Sequence, residues 1–152
     1  MIVRATLEDA IVLTNIALES KGYWGYTTKQ IESWREDLTV TPIMFEEYNI
    51  CKYVVNNEIA GFYILERANI RTSILQFLFI SPSYIKKGIG HLLIQHAIEY
   101  CKEGSSAILN VLSDPNAESF YAKYGFEVIA LRESSIPGRS LPEMELLFPE
   151  NQ

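Results

Sequence analysis

Two periods of apolar and polar positions run along the chain, and residues 74–101, ILQFLFISPSYIKKGIGHLLIQHAIEYC, show both in succession. Positions 74–80 are apolar except Gln76. A run that short, rich in β-branched and aromatic side chains, predicts a strand buried on both faces. Ser81-Pro82-Ser83 stops it, because proline cannot donate to a sheet ladder. After a loop at 84–90, apolar residues return at three- and four-residue steps, at Ile89, Leu92, Leu93, Ala97, Tyr100 and Cys101, and predict a helix.

The same two periods place the other elements. Residues 2–5 form a short strand, and Thr6 with Asp9 opens a helix whose apolar face is Leu7, Ala10, Ile11, Leu13, Ala17 and Leu18. Residues 21–26 break it, Thr27 followed by Gln30 starts a second helix running to about residue 38, and Thr41-Pro42 opens one further turn. Strands at 48–55 and 58–65 flank Asn56-Asn57, a hairpin turn in which asparagine tolerates left-handed backbone. A buried strand at 107–112 leads to Ser113-Asp114-Pro115, a helix opening with Asp114 as cap and Pro115 in the first turn. The helix at 116–124 ends at Gly125, and strands at 126–131 and 141–148 follow, separated by Pro137-Gly138-Arg139. The order βααβββαβαββ predicts a mixed sheet with helices on its faces, in one domain over residues 1–152.

Composition changes this picture little. Of 152 residues, 48% are hydrophobic and 21% charged, which are globular values. The net charge of −6 opposes a nucleic-acid surface, where a basic patch is needed. Cys51 and Cys101 make neither a CxxC pair nor a disulfide framework, and Cys101 falls on the apolar helix stripe as a small core residue. With no signal pattern in MIVRATLEDA and no apolar run of membrane length, a reducing cytoplasm is the expected location, with no membrane partner. His91 and His96 share one helix with no carboxylate or cysteine cluster beside them, so neither a zinc site nor a Ser-His-Asp triad is expected.

The candidate chemistry lies at residues 84–90. A strand, a glycine-bearing loop and a helix start, in that order, make an anion site, because the first helical N–H groups lack internal partners and carry the positive end of the macrodipole. Gly88 and Gly90 allow close backbone approach, and Lys86 and Lys87 add charge, so the stretch reads as a phosphate or pyrophosphate cradle. An ordinary tight turn feeding a core helix has the same pattern. It is neither a Walker loop nor a dinucleotide fingerprint, since no Gly-Lys-Ser/Thr ends it and Leu93 replaces the third glycine.

With the element order, two motifs resemble the GCN5-related N-acetyltransferase (GNAT) family over essentially the whole chain. The loop at 84–90 with its helix is similar to that family's acetyl-CoA pyrophosphate loop. NAESFYAKYGF at 116–126 is similar to its C-terminal helix and Tyr…Gly-Phe ending. Smaller echoes, at 21–26, at 37–41 and in the Pro137-Gly138-Arg139 turn, resemble a subgroup of small bacterial members. The resemblance implies a GNAT fold, a mixed sheet of about seven strands flanked by four helices, and acetyl-CoA held by Leu78, Phe79, Ile80, Ile85, Lys86, Lys87, Gly88, Ile89, Gly90, His91, Asn116, Phe120, Tyr121 and Lys123. Two positions depart from it. Ile85 stands where the loop usually begins with Arg or Gln, which implies weakened pyrophosphate binding, and Gln76 stands where some members carry a glutamate base.

Acetyl transfer to an amine needs a neutral nucleophile, an oxyanion donor and a proton for the thiolate. Deprotonating a lysine-like amine at pH 7 costs roughly 4.6 kcal/mol, and the sequence names no base beyond Glu19, Glu118 or a water chain. The resemblance implies backbone N–H groups near Phe79 and Ile80 as oxyanion donors. It also implies Tyr121 as the general acid, its phenol pKa of about 10 set against a thiol's ~8.5 in the expectation of a favourable transfer. A core aromatic would have the same helical spacing. By resemblance the acceptor site involves Tyr23, Trp24, Tyr26 and Arg139, the aromatics either lining an amine pocket with Trp34 or forming a satellite hydrophobic cluster. Arg139 reaches a substrate carboxylate, or its turn serves a homodimer contact. The expectation is thus an acetyl-CoA-dependent N-acetyltransferase acting on a small-molecule primary amine. Its alternatives are a protein or peptide N-acetyltransferase, a non-catalytic acyl-CoA sensor, and an enzyme using a longer acyl donor.

Overall fold

A computed structural model describes residues 1–149. The elements are β1 (Ile2–Arg4), α1 (Ala10–Tyr23), α2 (Thr28–Ser33), α3 (Arg35–Leu38), α4 (Pro42–Glu47), β2 (Asn49–Val55), β3 (Glu58–Arg67), β4 (Thr72–Ile80), α5 (Ile89–Glu103), β5 (Ile108–Leu112), α6 (Glu118–Ala122), β6 (Glu127–Glu133) and β7 (Ser140–Leu147), with single 3₁₀ turns at Leu7–Asp9, Pro82–Tyr84 and Pro115–Ala117. Hydrogen-bonded neighbours follow the order β1-β2-β3-β4-β5-β7-β6 in one seven-stranded sheet. Strands β4 and β5 pair in parallel while β1–β2, β2–β3, β5–β7 and β6–β7 are antiparallel, so the expected mixed sheet is what forms.

The chain divides into two compact units. The first comprises residues 1–65 and 77–97. Its core is Leu13, Ile16 and Ala17 of α1 with Leu38, Val40, Ile50, Phe62, Ile64 and Phe77, and Trp34, Phe45 and Phe79 pack against it. The helix starts form as their sequences dictate. Gln30 N–H donates to Thr27 Oγ1 (3.1 Å) and Thr27 N–H to Gln30 Oε1 (2.9 Å), a reciprocal cap. The Asp9 carboxylate accepts from Thr6 N–H (2.9 Å) and pairs with Lys52 Nζ (2.8 Å). Asn56 and Asn57 both have positive φ, 50° and 65°, as the tight β2–β3 hairpin requires.

The second unit comprises residues 66–76 and 98 onward. Here β5 pairs antiparallel with β7, and β7 with β6. Gly125 takes φ +96° just past α6, the left-handed cap expected of it.

Four expectations are corrected. The β4 strand is not buried on both faces: Ser73, Leu75 and Phe77 are buried while Gln76 is exposed, so it alternates. The doubly buried run is in β3, Ala60 to Leu65: Phe62 and Ile64 sit in the core with residues of α1, and the Tyr63 hydroxyl lies 2.8 Å from His96 Nδ1 of α5. On α1, Leu7 before it and Ile11 face solvent and Ile16 replaces them in the core; on α5, Leu92 and Tyr100 are exposed and Ile94 is buried. The single helix expected to about residue 38 breaks at Trp34, which both ends α2 and opens α3, so the described residues hold six α-helical segments rather than four.

Candidate active site

The end of β4 is the first component. The β4–β5 ladder runs from Thr72↔Ile108 to Leu75↔Val111, while β4 continues to Ile80. Its last residues are fixed from the β3 side: Ser81 N–H donates to Ala60 O (2.8 Å). A Cβ placed on Gly61 would stand 2.9 Å from Phe79 O, 2.8 Å from Ile80 Cδ1 and 3.2 Å from Leu93 Cδ1. The Phe79 carbonyl therefore faces β3, and across a trans peptide the N–H of Ile80 points the other way. That leaves the Ile80 N–H oriented away from β3, as a donor for an oxyanion must be. Gly61 was not among the sequence candidates; a small residue in an apolar strand run was the available signal.

The loop is the second component. Tyr84 O–H donates to Glu58 Oε2 (2.6 Å), tying the loop's start to β3, and Lys87 Nζ lies 5.9 Å over the Tyr84 ring. Lys86 (φ 67°) and Gly88 (φ 80°) are both left-handed, and α5 begins at Ile89 with Leu92 N–H donating to Gly88 O (3.2 Å). Left-handed residues beside a helix start turn successive amides into an anion-binding concavity. A Cβ on Gly88 would meet nothing within 4 Å, so the cradle is open to a ligand. Lys86, Lys87 and His91 are exposed, Ile85 is half-buried and Ile89 is buried in the core. The residues present fit a diphosphate through backbone amides and lysine charge.

Around Phe79, Lys21 Nζ lies 5.6 Å from the Trp34 ring centroid and 5.9 Å from those of Tyr26 and Phe79. Tyr26 and Trp34 meet edge to face at 4.9 Å. Of the aromatics expected in an acceptor region, Tyr26 thus joins the β4 end, while Tyr23 and Trp24 pair with each other at 5.3 Å, nearly half exposed. Lys21 was missed because lysine carries no motif signal of its own.

In the second unit, Tyr121 is buried, edge to face with Phe120 (5.2 Å) and Phe126 (5.4 Å). Burial, and then the negative charge of Asp114, push its phenol pKa far above the ordinary range. The expected energetics need correcting: transfer from a phenol of pKa ~10 to a thiolate whose acid has ~8.5 is uphill by about 2 kcal/mol, and burial widens the gap. Tyr121 can hydrogen-bond a thiolate, but handing over its proton requires a replacement proton. Asn116 is exposed, its N–H and Nδ2 both donating to Asp114 Oδ1 (2.9 Å each). Phe120 is half-buried and Lys123 exposed. Arg139 is held internally, Nη2 on Asp114 Oδ2 (2.9 Å) and Nη1 on Ser134 Oγ (2.7 Å), which gives its guanidinium a structural partner where a substrate carboxylate was expected. Gln76 Nε2 donates to Glu66 Oε2 (3.0 Å), and Glu19 and Glu118 are both exposed. Burial pushes the Cys101 thiol pKa up, as suits a core residue. Among the described residues no group of His, Cys, Asp and Glu could hold a metal, and no helix is long and apolar enough to cross a membrane.

An extended central strand that outruns its parallel neighbour, followed by a loop of left-handed residues and a helix start, makes an α/β domain with an anion-binding strand end. Residues 19–148 match the model of the acetyltransferase (GNAT) domain, and the chain belongs to that family. It is 33% identical over 72 residues to the peptidyl-lysine N-acetyltransferase YjaB of Salmonella typhimurium, a match covering 47% of this chain and 48% of that protein, so it spans about half the length of this curated relative. The structure resembles PaiA N-acetyltransferase from Thermoplasma acidophilum in complex with coenzyme A, at TM-score 0.80 and 23% identity over 97% of this chain and 98% of the other. It also resembles a GNAT family acetyltransferase from Elizabethkingia anophelis with acetyl-CoA bound, at TM-score 0.68 and 17% identity over 97% of each chain.

Proposed function

We propose that the chain is an acetyl-CoA-dependent N-acetyltransferase, working as one functional domain in the cytoplasm on a small-molecule primary amine. The observation that carries this is the continuous path from the Ile80 N–H, left outside the β4–β5 ladder, through the left-handed Lys86 and Gly88 to the start of α5. Acetyl-CoA, when bound, supplies an activated acetyl thioester. The amides of residues 87–90, with Lys86 and Lys87, hold the pyrophosphate, and Leu78, Phe79 and Ile80 bind along the pantetheine. The Ile80 N–H donates to the carbonyl oxygen as negative charge develops there, an interaction typically worth about 2.7–4 kcal/mol when preorganised. Tyr121 Oη delivers a proton at the departing sulfur while accepting one derived from the acceptor nitrogen. Such a relay never accumulates the phenolate that burial disfavours. The family resemblance supports Asn116, Phe120 and Lys123 as cofactor contacts and Tyr23, Trp24 and Tyr26 as acceptor contacts.

The test is thermal unfolding with millimolar acetyl-CoA, followed by thiol release with an amine panel. Binding at a hundredfold excess over Kd adds about 2.7 kcal/mol and raises the midpoint by several degrees. Tyr121→Phe is expected to lower kcat at least tenfold with acetyl-CoA affinity within about twofold of the parent. No shift with acetyl-CoA, CoA or succinyl-CoA would end the acetyltransferase reading, and unchanged turnover in Tyr121→Phe would remove Tyr121 from it. A second reading, a peptide lysine as acceptor, is favoured by the name of the Salmonella relative, and a lysine peptide belongs in the amine panel for that reason.

A further inference from the structure

Glu58 and Tyr84 lie 26 positions apart in the chain and meet where the cradle begins. Glu58 opens β3 and pairs with Val55 across the left-handed Asn56-Asn57 turn, so its backbone is fixed by a tight hairpin. Its carboxylate accepts from Tyr84 O–H at 2.6 Å, the length of an O–H bond to a charged oxygen. That bond raises the Tyr84 pKa and keeps the phenol in its donating form. Tyr84 ends the 3₁₀ turn that follows β4, with its N–H on Ser81 O (2.8 Å). Two residues on, Lys86 is left-handed at φ 67° without being glycine, a conformation that persists only where surrounding contacts enforce it. Lys87 follows, its Nζ 5.9 Å over the same Tyr84 ring. One tyrosine therefore ties the loop to the hairpin by its hydroxyl and carries the Lys87 ammonium on its ring. Ile85 contributes no side-chain donor, so the cradle depends on amide alignment, and alignment is what this contact supplies.

We propose that Glu58 and Tyr84 are positioning residues for cofactor binding: their hydrogen bond latches the loop at 84–90 to the β2–β3 hairpin in the shape that receives a diphosphate. This deepens the acetyl-CoA reading above and rests on it. Apparent affinity scales with the fraction of chains whose loop already has the binding shape. Cutting the latch lowers that fraction and raises the Kd. The acyl end of the site keeps its geometry, because Ser81 N–H on Ala60 O (2.8 Å) holds it from β3 independently of the latch. The sign of the effect is diagnostic. By charge alone, removing a carboxylate near a diphosphate would tighten binding; removing it as the latch acceptor loosens binding.

The experiment titrates acetyl-CoA and CoA calorimetrically into the full chain and its variants, with the ligand-free Tm measured on the same preparations. Tyr84→Phe, which keeps the ring and loses the hydroxyl, should raise both Kd values about fivefold to tenfold. Glu58→Ala should do the same, and the double variant should be no weaker than either single one, as two halves of one contact require. Glu58→Gln loses the charge but keeps an oxygen acceptor, so its Kd should return to within about twofold of the parent. Glu32→Gln, which removes a carboxylate paired with Arg35, should leave the Kd unchanged. The ligand-free Tm should stay within about 2 °C throughout, since surface substitutions cost little stability. Two results would overturn the proposal: parent-like or tighter binding in Tyr84→Phe or Glu58→Ala, whether or not the Tm falls, and single-variant penalties that multiply in the double variant. Both leave the acetyltransferase reading standing, because the parent still binds. If the parent binds neither acetyl-CoA nor CoA, that reading fails and the proposal falls with it.

Discussion

Gly61→Ala tests how the oxyanion donor is held. A new Cβ would lie 2.8 Å from Ile80 Cδ1 and 3.2 Å from Leu93 Cδ1, which are side-chain ends that can turn aside, but also 2.9 Å from Phe79 O, which cannot move without its peptide. Restoring an ordinary contact of 3.4 Å from 2.9 Å shifts that peptide by about 0.5 Å, and overpacking of this kind costs about 1–3 kcal/mol. Alanine regains roughly 0.5–1 kcal/mol of backbone entropy over glycine in a strand, so the net loss is about 1–2 kcal/mol. For a chain of this size that is a fall in Tm of about 2–8 °C. Catalysis should suffer more than stability. The displaced peptide carries the Ile80 N–H, and losing half of a donor worth about 3 kcal/mol lowers kcat about tenfold. The loop amides proposed to hold the pyrophosphate lie seven or more residues on, so the Kd for acetyl-CoA should change less than about threefold. Calorimetry, a CoA titration and thiol-release kinetics on one preparation read all three. Parent-like kcat with a lowered Tm would show that the Ile80 N–H is not the donor, and parent-like Tm would refute the contact itself.

Restoring a cation to the loop with Ile85→Arg should tighten acetyl-CoA binding about tenfold, by a charge-assisted contact worth about 1.5 kcal/mol; an unchanged Kd by calorimetric titration would mean that the backbone alone sets affinity. Arg139→Leu leaves the largely buried Asp114 carboxylate without its cation, and should cost about 2–3 kcal/mol in chemical denaturation; loss of amine affinity at full stability would instead return Arg139 to the acceptor site. Tyr121, with its folded pKa raised above the unfolded ~10, contributes stability that is complete below that pH and is lost as pH rises through 10 toward the folded value. The alkaline fall in Tm should therefore be shallower in Tyr121→Phe. Asp9 works in the opposite direction: burial opposes its charge, but the Lys52 and Thr6 hydrogen bonds prevail and lower its pKa, so its contribution is present above the unfolded ~3.9 and disappears as pH falls through the folded value. Asp9→Asn should flatten the acid limb of the stability curve.

What was legible in the sequence was local. Thr27 with Gln30, Asn56-Asn57, Asp114 before Pro115, and Gly125 each close their bond or dihedral within three residues, and each formed as its chemistry requires. Burial was less legible, because it depends on what lands on a face. The residues 74–80 and 60–65 are both short apolar runs, yet only the latter is covered on both sides. The alternation of β4 becomes visible once the strand is started at Thr72, which puts Ser73, Leu75 and Phe77 inward and Gln76 outward. The break at Trp34 has the same origin: helical spacing continues through it, and packing of Trp34 against the core and Tyr26 interrupts the helix.

The site divides along the same line. Loop and helix start were legible because an anion cradle is written in consecutive residues, and Ile85 removes a side chain from it without removing an amide. Residues joined across long separations were not. Arg139 lies 25 positions from the Asp114 that engages it, and Lys21 gains meaning only from Phe79, 58 positions on. Tyr121 is the instructive case, because motif resemblance selects the residue while burial changes what it can do. A solvated phenol facing a thiolate is a weak acid; a buried one near the charge of Asp114 is a weaker acid still. Such a group cannot drive protonation by acidity, so its value to the reaction is to keep a proton in place and exchange it for another. Catalysis by Tyr121 should accordingly show no acid-limb dependence of its own, and any alkaline gain in rate must come from the acceptor amine losing its proton.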